Sequence, residues 1–171
     1  MELQRPDKRH EKEVMALREL LFERNESFDG CGGLEDVSDY DSWLDFSGRL
    51  KKKYGVYYVP SDLYLAIEGD EVVGIIDYRH PLSPFLLQYG GNIGYSIHPE
   101  KRRMGYGSKM LSLLLDIIRE NGEKKVLITC DKENIASRKT IINNGGIKEN
   151  EVADTENLGK SGIIERYWIS L

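Results

Sequence analysis

Cysteine is scarce in this sequence. Cys31 and Cys130 are the only two among 171 residues, they show no CxxC spacing, and there are only three histidines. Neither a disulfide framework nor a structural zinc site is indicated, no metal is expected, and a reducing cytoplasm fits best. Long apolar runs are missing as well. Nothing approaches the roughly 18–20 uninterrupted apolar residues needed to cross a bilayer. The opening Met1-Glu2-Leu3-Gln4-Arg5-Pro6 has no apolar signal core, so membrane insertion and secretion are not expected. Positive charge is not in excess: 24 Lys and Arg stand against 29 Asp and Glu, for a formal net charge of −5. A general nucleic-acid binder, which must neutralise many phosphates, is disfavoured.

What is present suffices for one folded domain spanning residues 1–171. Hydrophobic residues make up 40% and charged residues 31% of the chain, enough apolar material for a core and too mixed for a disordered tail. No repeat or low-complexity tract interrupts it. The charge is unevenly placed. From Glu23 to Asp45 the acids Glu23, Glu26, Asp29, Glu35, Asp36, Asp39, Asp41 and Asp45 face Arg24 alone, whereas Lys101, Arg102, Arg103 and Lys109 form a basic island with only Glu100 among them. A charge run is commonly just a solvated face. The acidic window would also suit a cationic amine, and the basic island lacks the interleaved aromatics of a single-strand nucleic-acid groove.

Periodicity gives the order of elements. Leu3 begins a short extended segment. Val14, Leu17, Leu20 and Leu21 fall on one face of a helix opened by Pro6-Asp7 and ending near Asn25. After a turn at Gly30, Gly32 and Gly33, Trp43, Phe46 and Leu50 predict a second helix from Ser38 to Tyr54, stopped by Gly55. Leu63, Leu65 and Ile67 alternate with polar or small neighbours, and Val72 to Ile76 continue beyond the turn Glu68-Gly69-Asp70-Glu71, which reads as a β-hairpin. Ile93, Tyr95 and Ile97 mark a third strand. A helix from Ser108 to Asn121 has a wide apolar face of Met110, Leu111, Leu114, Leu115 and Ile118, suited to packing on a sheet. A strand from Lys125 to Cys130, a helix from Asn134 to Asn144 and two closing strands, near Ile147 to Val152 and Ile163 to Ser170, complete the chain.

The informative segment lies between the third strand and the apolar helix: Ile97-His98-Pro99-Glu100-Lys101-Arg102-Arg103-Met104-Gly105-Tyr106-Gly107-Ser108. Glycines 105 and 107 let backbone N–H groups approach a ligand, and the following helix adds its free N–H groups and the positive end of its dipole. That combination suits a diphosphate, helped by Arg102, Arg103 and Lys109. An ordinary helix start with capping glycines is the alternative. A P-loop is excluded, because Gly107-Ser108-Lys109 reverses its order, and a dinucleotide fingerprint fails because Met110 stands where its third glycine belongs.

Arg102-Arg103-Met104-Gly105-Tyr106-Gly107 resembles the Arg/Gln-x-x-Gly-x-Gly/Ala motif of the GNAT superfamily of N-acetyltransferases. The likeness extends from about Leu63 to Leu171 and includes the strand before the loop, Leu127-Ile128-Thr129-Cys130 after the helix, and Asn134-Ile135-Ala136-Ser137 followed by Asn144-Gly145-Gly146. Gly90-Gly91-Asn92-Ile93-Gly94-Tyr95-Ser96-Ile97 and Leu127 to Asp131 are most similar to a group of functionally uncharacterised bacterial acetyltransferases. The resemblance implies an α/β (α+β) single domain: a mostly antiparallel sheet of about seven strands flanked by helices, with a cofactor cleft between the fourth and fifth strands. Residues 61–171 would form the acetyl-CoA-binding core, and residues 1–60 a variable helical substrate-side region.

The same resemblance implies acetyl-coenzyme A as cosubstrate. Its diphosphate would lie on the backbone of Arg103, Met104, Gly105, Tyr106, Gly107 and Ser108, with Arg102 beside it. Its pantetheine arm would pair near Ile97 and His98, and Asn134, Ser137 and Arg138 would lie along it. Asn134 fits a plain helix N-cap equally well in type. The implied reaction is direct attack of a primary amine, of a small molecule, on the thioester in a ternary complex. A protein amine as acceptor and a non-catalytic acyl-CoA sensor are the alternatives, and a homodimer is compatible with the sequence. A backbone N–H of Ile97 or His98, freed by a strand bulge, would polarise the thioester carbonyl. The family's tyrosine proton donor, seven residues after the asparagine, is replaced by Ile141. His98, Cys130 and Tyr167 are the candidate catalytic side chains by residue type. Asp131 and Glu133 fit helix capping as well as base chemistry.

Overall fold

The structure, a computed structural model, describes residues 1–50 and 59–171, the side chains of 48–50 excepted. Its elements follow the periodicity of the sequence closely: β1 (Glu2–Gln4), α1 (Glu11–Glu23), α2 (Tyr40–Leu50), β2 (Ser61–Glu68), β3 (Glu71–Arg79), β4 (Ile93–Ile97), α3 (Tyr106–Glu120), β5 (Lys125–Asp131), α4 (Ile135–Asn143), β6 (Ile147–Ala153) and β7 (Ile163–Ser170). The expected extension of α2 to Tyr54 and its stop at Gly55 lie outside the described residues. Four short elements have no periodic signature: 3-10 turns at Lys8–His10, Leu34–Asp36 and Pro99–Lys101, and a π-helical turn, Leu86–Gly90, in the Pro-punctuated segment before β4.

The described strands are seven, and every pairing is antiparallel, but they form two sheets rather than one. β1-β2-β3-β4 is the first and β5-β7-β6 the second. Helices cover both faces of the first sheet. On one, Val14, Leu17 and Leu21 of α1 and Trp43 of α2 pack on Leu63, Leu65, Ile67, Val72 and Ile75. On the other, the apolar stripe of α3 packs on Ala66, Val73, Ile76 and Ile93 and continues to Val126 and Ile128 of β5. The register shift between Ala66 and Ile67 makes Val73 an extra residue in β3, so Val72 and Ile75 share one face while Val73 and Ile76 share the other. Burial on both faces explains why Val72 to Ile76 reads as a continuous apolar run.

Hydrogen bonds at Asn92 join the two sheets. Buried Asn92, just before β4, donates its main-chain N–H to Leu127 O (2.7 Å) and accepts Leu127 N–H on Oδ1 (2.8 Å), while its Nδ2 donates to Arg79 O (3.0 Å). Gly91 is pressed onto the same place: a Cβ there would lie 2.7 Å from Leu127 O. Beyond this clamp β4 and β5 separate, and the gap opens toward the end of β4 and the start of α3. Asn92→Ala strands the buried Leu127 N–H and Arg79 carbonyl. It should destabilise the fold by about 2–4 kcal/mol, read as a lower urea midpoint at unchanged slope.

Candidate active site

β4 runs along the gap as an edge strand, and its hydrogen-bond parity decides what it offers there. Arg79 N–H donates to Asn92 O, Gly94 N–H to Asp77 Oδ1 (3.0 Å), and His98 N–H to Val73 O (3.0 Å). The even-numbered residues therefore turn their main chain toward β3. In an antiparallel pair the alternate residues turn away, so Tyr95 and Ile97 present N–H and C=O to the gap. β3 and β4 pair from Ile93 to Ile97 without a register shift. This corrects the sequence expectation in two respects. The outward donors come from the strand's edge position rather than from a bulge, and the His98 N–H is already committed to β3.

The gap widens into a cleft of about 1330 Å3. At its α3 end Arg102, Arg103, Gly105, Tyr106, Gly107 and Ser108 form the wall. Arg103 has φ 63° and Gly105 φ 84°, two left-handed residues that curl the loop. No side chain caps α3 at Gly105, so its first N–H groups remain available to an anion. Gly107 is where α3 and α4 touch: a Cβ would lie 3.2 Å from Thr140 Oγ1, and Asn144 Nδ2 ties the helices by donating to Ser108 O (3.2 Å) and Thr140 O (2.9 Å). Exposed Met104 projects away from this wall and is not among the cleft-lining residues.

Across the middle, Tyr95 reaches from β4 to α4, its Oη 2.9 Å from Ser137 Oγ. Burial pushes the Tyr95 hydroxyl up to about 12. Asn134 lines the cleft and also caps α4, its Oδ1 accepting Ser137 N–H at 3.0 Å. Cys130 lines the opposite wall, and burial, with the Glu165 carboxylate behind it, pushes its thiol up to about 11. Tyr167, Arg138 and His98 stand elsewhere. Tyr167 is buried under α4, donating its hydroxyl to Glu165 Oε2 (2.7 Å). Arg138 turns toward the same carboxylate (3.5 Å) and donates to Lys132 O. His98 caps the turn at Pro99–Lys101, accepting Glu100 N–H on Nδ1, and burial lowers its pKa.

The far half of the cleft was not legible by motif. It is built by the segment after α1, by Asp77 and Arg79 at the end of β3, by the π-helical turn, and by Leu158 of the β6–β7 connection. Backbone meets backbone where this segment lands on β4: a Cβ on Gly30 would lie 2.2 Å from Gly94 C, and Ser96 Oγ donates to Asp29 O (2.7 Å). Arg79 is ion-paired to Asp77 (2.9 Å) and donates to Gly90 O (3.1 Å), which fixes the turn against β3. Glu35 faces the cleft although its outer side is exposed, and desolvation, aided by Asp36 and Asp29, raises its carboxyl. Asp131 is bound by Ser161 N–H and Oγ (2.9 Å each) and by Glu133 N–H, so it pins the β6–β7 connection rather than standing free as a base. Charges in β3 after an apolar run were the available signal for Asp77 and Arg79.

Among the described residues no group of His, Cys, Asp or Glu is arranged to hold a metal, and no helix is long and apolar enough to cross a membrane.

The sequence profile of the acetyltransferase (GNAT) family matches residues 15–141. No curated protein matches the chain. Among solved structures, the chain is similar to the microcin C7 self-immunity acetyltransferase MccE in complex with acetyl-CoA and AMP, at 15% identity and TM-score 0.72 over 99% of this chain and 91% of that one. It is similar to a Salmonella typhimurium acetyltransferase that modifies the N-terminal serine of ribosomal protein L7/L12, at 17% identity and TM-score 0.69 over 99% and 94%. It is also similar to a spermidine N-acetyltransferase chimera from Vibrio cholerae and hSSAT, at 12% identity and TM-score 0.67 over 99% of this chain and 96% of that one.

The cleft geometry makes Cys130 unreactive near neutrality. With its thiol near 11, roughly one molecule in a thousand carries a thiolate at pH 8. Alkylation by iodoacetamide should be slow there and accelerate steadily up to about pH 11.

Proposed function

The chain belongs to the acetyltransferase (GNAT) family, and we propose that it moves the acetyl group of acetyl-coenzyme A to a primary amine of a small molecule by direct attack in a ternary complex. The observation that carries this reading is the alignment of three features along one cleft. These are the left-handed anion cradle at 103–108, the outward main chain of β4, and a separate acceptor half beyond it.

The residues fit the coenzyme. A diphosphate suits the uncapped N–H groups at the start of α3, with Arg102 and Arg103 adjacent. Ile97 stands next to that loop, and Tyr95 lies two residues, about 7 Å, further along the strand. The N–H and C=O of Ile97 would therefore pair with the arm near its phosphate end, and the Tyr95 N–H would polarise the thioester carbonyl at its far end. When bound, acetyl-coenzyme A supplies an activated acyl group and a thiolate leaving group.

Ile141, at the position of the family's tyrosine, has no proton to give and is fully buried. An ordinary thiol pKa near ~8.5 makes the thiolate a tolerable leaving group without one. The Tyr95 hydroxyl, held high by burial, stays protonated through neutral pH. It serves as a hydrogen-bond donor at the sulfur rather than as an acid that gives up its proton. Glu35, which lines the cleft and whose carboxyl is raised by desolvation, would accept the amine proton.

Relatives of this fold act on a protein N-terminus and on spermidine, so the family spans both acceptor types. The small-molecule reading rests on the acceptor half being walled on several sides, by the segment after α1, the π-helical turn and Leu158. Both thiols are free and buried, which accords with a reducing cytoplasm.

Two measurements test the proposal. Coenzyme-A thiol release should be seen with acetyl-CoA and at least one member of a panel of small amines. Binding without release across the panel would favour an acyl-CoA sensor. Gly105→Glu, which forces a side chain at φ 84° and adds negative charge to the cradle, should weaken coenzyme binding by roughly tenfold or more, equivalent to about 1.4 kcal/mol. Unchanged affinity would remove the diphosphate from this loop.

A further inference from the structure

Arg79, at the end of β3, is held at part of its guanidinium and open at the rest. Nε donates to Asp77 Oδ2 (2.9 Å) and Nη1 to Gly90 O (3.1 Å). Among the described residues Nη2 has no partner, and it is not sealed from solvent. The side chain is 22% exposed and lines the cleft. A planar guanidinium pinned at two nitrogens is fixed in direction, so the third presents its N–H groups at a set place.

That place is beside β4. Gly94 leaves room for the nitrogen: a Cβ there would lie 2.2 Å from Arg79 Nη2. The next residue is Tyr95, whose outward N–H is the proposed donor to the thioester carbonyl, and neighbouring Cα atoms are about 3.8 Å apart. A donor for an acceptor oxygen therefore stands one residue from the carbonyl under attack. An amine whose carboxylate is a single carbon away from its nitrogen has a matching span. Asp77 narrows the choice of anion. Both its oxygens are committed, Oδ1 to Gly94 N–H and Oδ2 to Arg79, and it cancels the arginine's charge at a distance. What remains is the short charge-assisted hydrogen bond from Nη2. A dianion such as a phosphomonoester would be repelled by Asp77 and by Asp29 nearby, and a carboxylate monoanion less so.

We infer that Arg79 is a specificity-determining residue: its open Nη2 receives the carboxylate of the acceptor, which is an α-amino acid. This rests on the acetyltransferase reading above and adds to it a residue and a substrate class. Such an acceptor arrives as a zwitterion, and the cleft holds an opposite group for each charge, Glu35 for the ammonium and Arg79 for the carboxylate. The two share a neighbourhood, since the Asp29 carboxylate acts on both. The cleft is also lined by Phe85 and Tyr89, on the segment that fixes Arg79, and by Phe28 and Leu158. An apolar side chain on the amino acid suits those walls.

Matched ligands that differ only at the carboxylate test this. L-Leucine and L-phenylalanine, each beside its amide and its decarboxylated amine, are titrated calorimetrically into coenzyme-A-saturated wild type and Arg79→Lys. At least one of the two acids should bind the wild type roughly tenfold or more tightly than its amide and its amine, the effect of one charge-assisted hydrogen bond. Arg79→Lys keeps a cation beside Asp77 but places nothing where Nη2 stands, and should reduce the preference to about twofold or less. Equal or tighter binding of both amides by the wild type, binding of none of the six ligands, or an undiminished preference in an Arg79→Lys protein that still takes up coenzyme A overturns the inference. Should Arg79→Lys fail to fold, the wild-type comparison of acid with amide decides alone. If the wild type binds no coenzyme A, it is the acetyltransferase site assignment that falls.

Discussion

The site depends on where β4 stops pairing with β5. Up to Asn92 the two are joined by main-chain and side-chain hydrogen bonds to Leu127. One residue later they part, and from that point β4 has a satisfied edge on β3 and an unsatisfied edge on the cleft. A backbone donor and acceptor left open in this way must find another partner. The partner that fits is an extended chain bearing its own amides, so the clamp at Asn92 sets both the depth of the cleft and the kind of molecule that enters it.

Each further feature is hung from that open edge. The loop from β4 to α3 closes one end of the cleft. α4 faces the cleft through Asn134, Ser137 and Thr140, and the Tyr95 to Ser137 contact spans the separation. On the opposite face, Gly94 admits the backbone of Gly30, so the segment after α1 rests directly on β4.

Much of this was legible in the sequence because the signals are local. Glycines at 105 and 107 mark the turn into α3 and its uncapped start within a dozen residues, and the apolar stripe from Met110 to Ile118 is the face that packs. The acceptor half was not legible, because tertiary contacts between distant segments make it. Nothing beside Gly30 reveals Gly94. Side-chain direction was the second obstacle. Tyr167 and Arg138 are of suitable type and near the right elements, but buried Glu165 draws both behind the wall of the cleft. The reach of the main chain followed the same logic. Whether residue 97 or 98 is free depends on strand parity, which only the hydrogen bond from His98 to Val73 reveals.

An unpaired strand edge is ordinarily a hazard, since it invites self-association by strand addition, and proteins shield such edges with charge, bulges or covering elements. Here the edge lies in a crevice, roofed by α4 and flanked by the segment that sits on Gly94. A folded neighbour's strand, arriving with its own sheet, is too broad to reach it. A single flexible arm is not. Steric seclusion thus converts an aggregation liability into a receptor for thin ligands, with no residue set aside for protection.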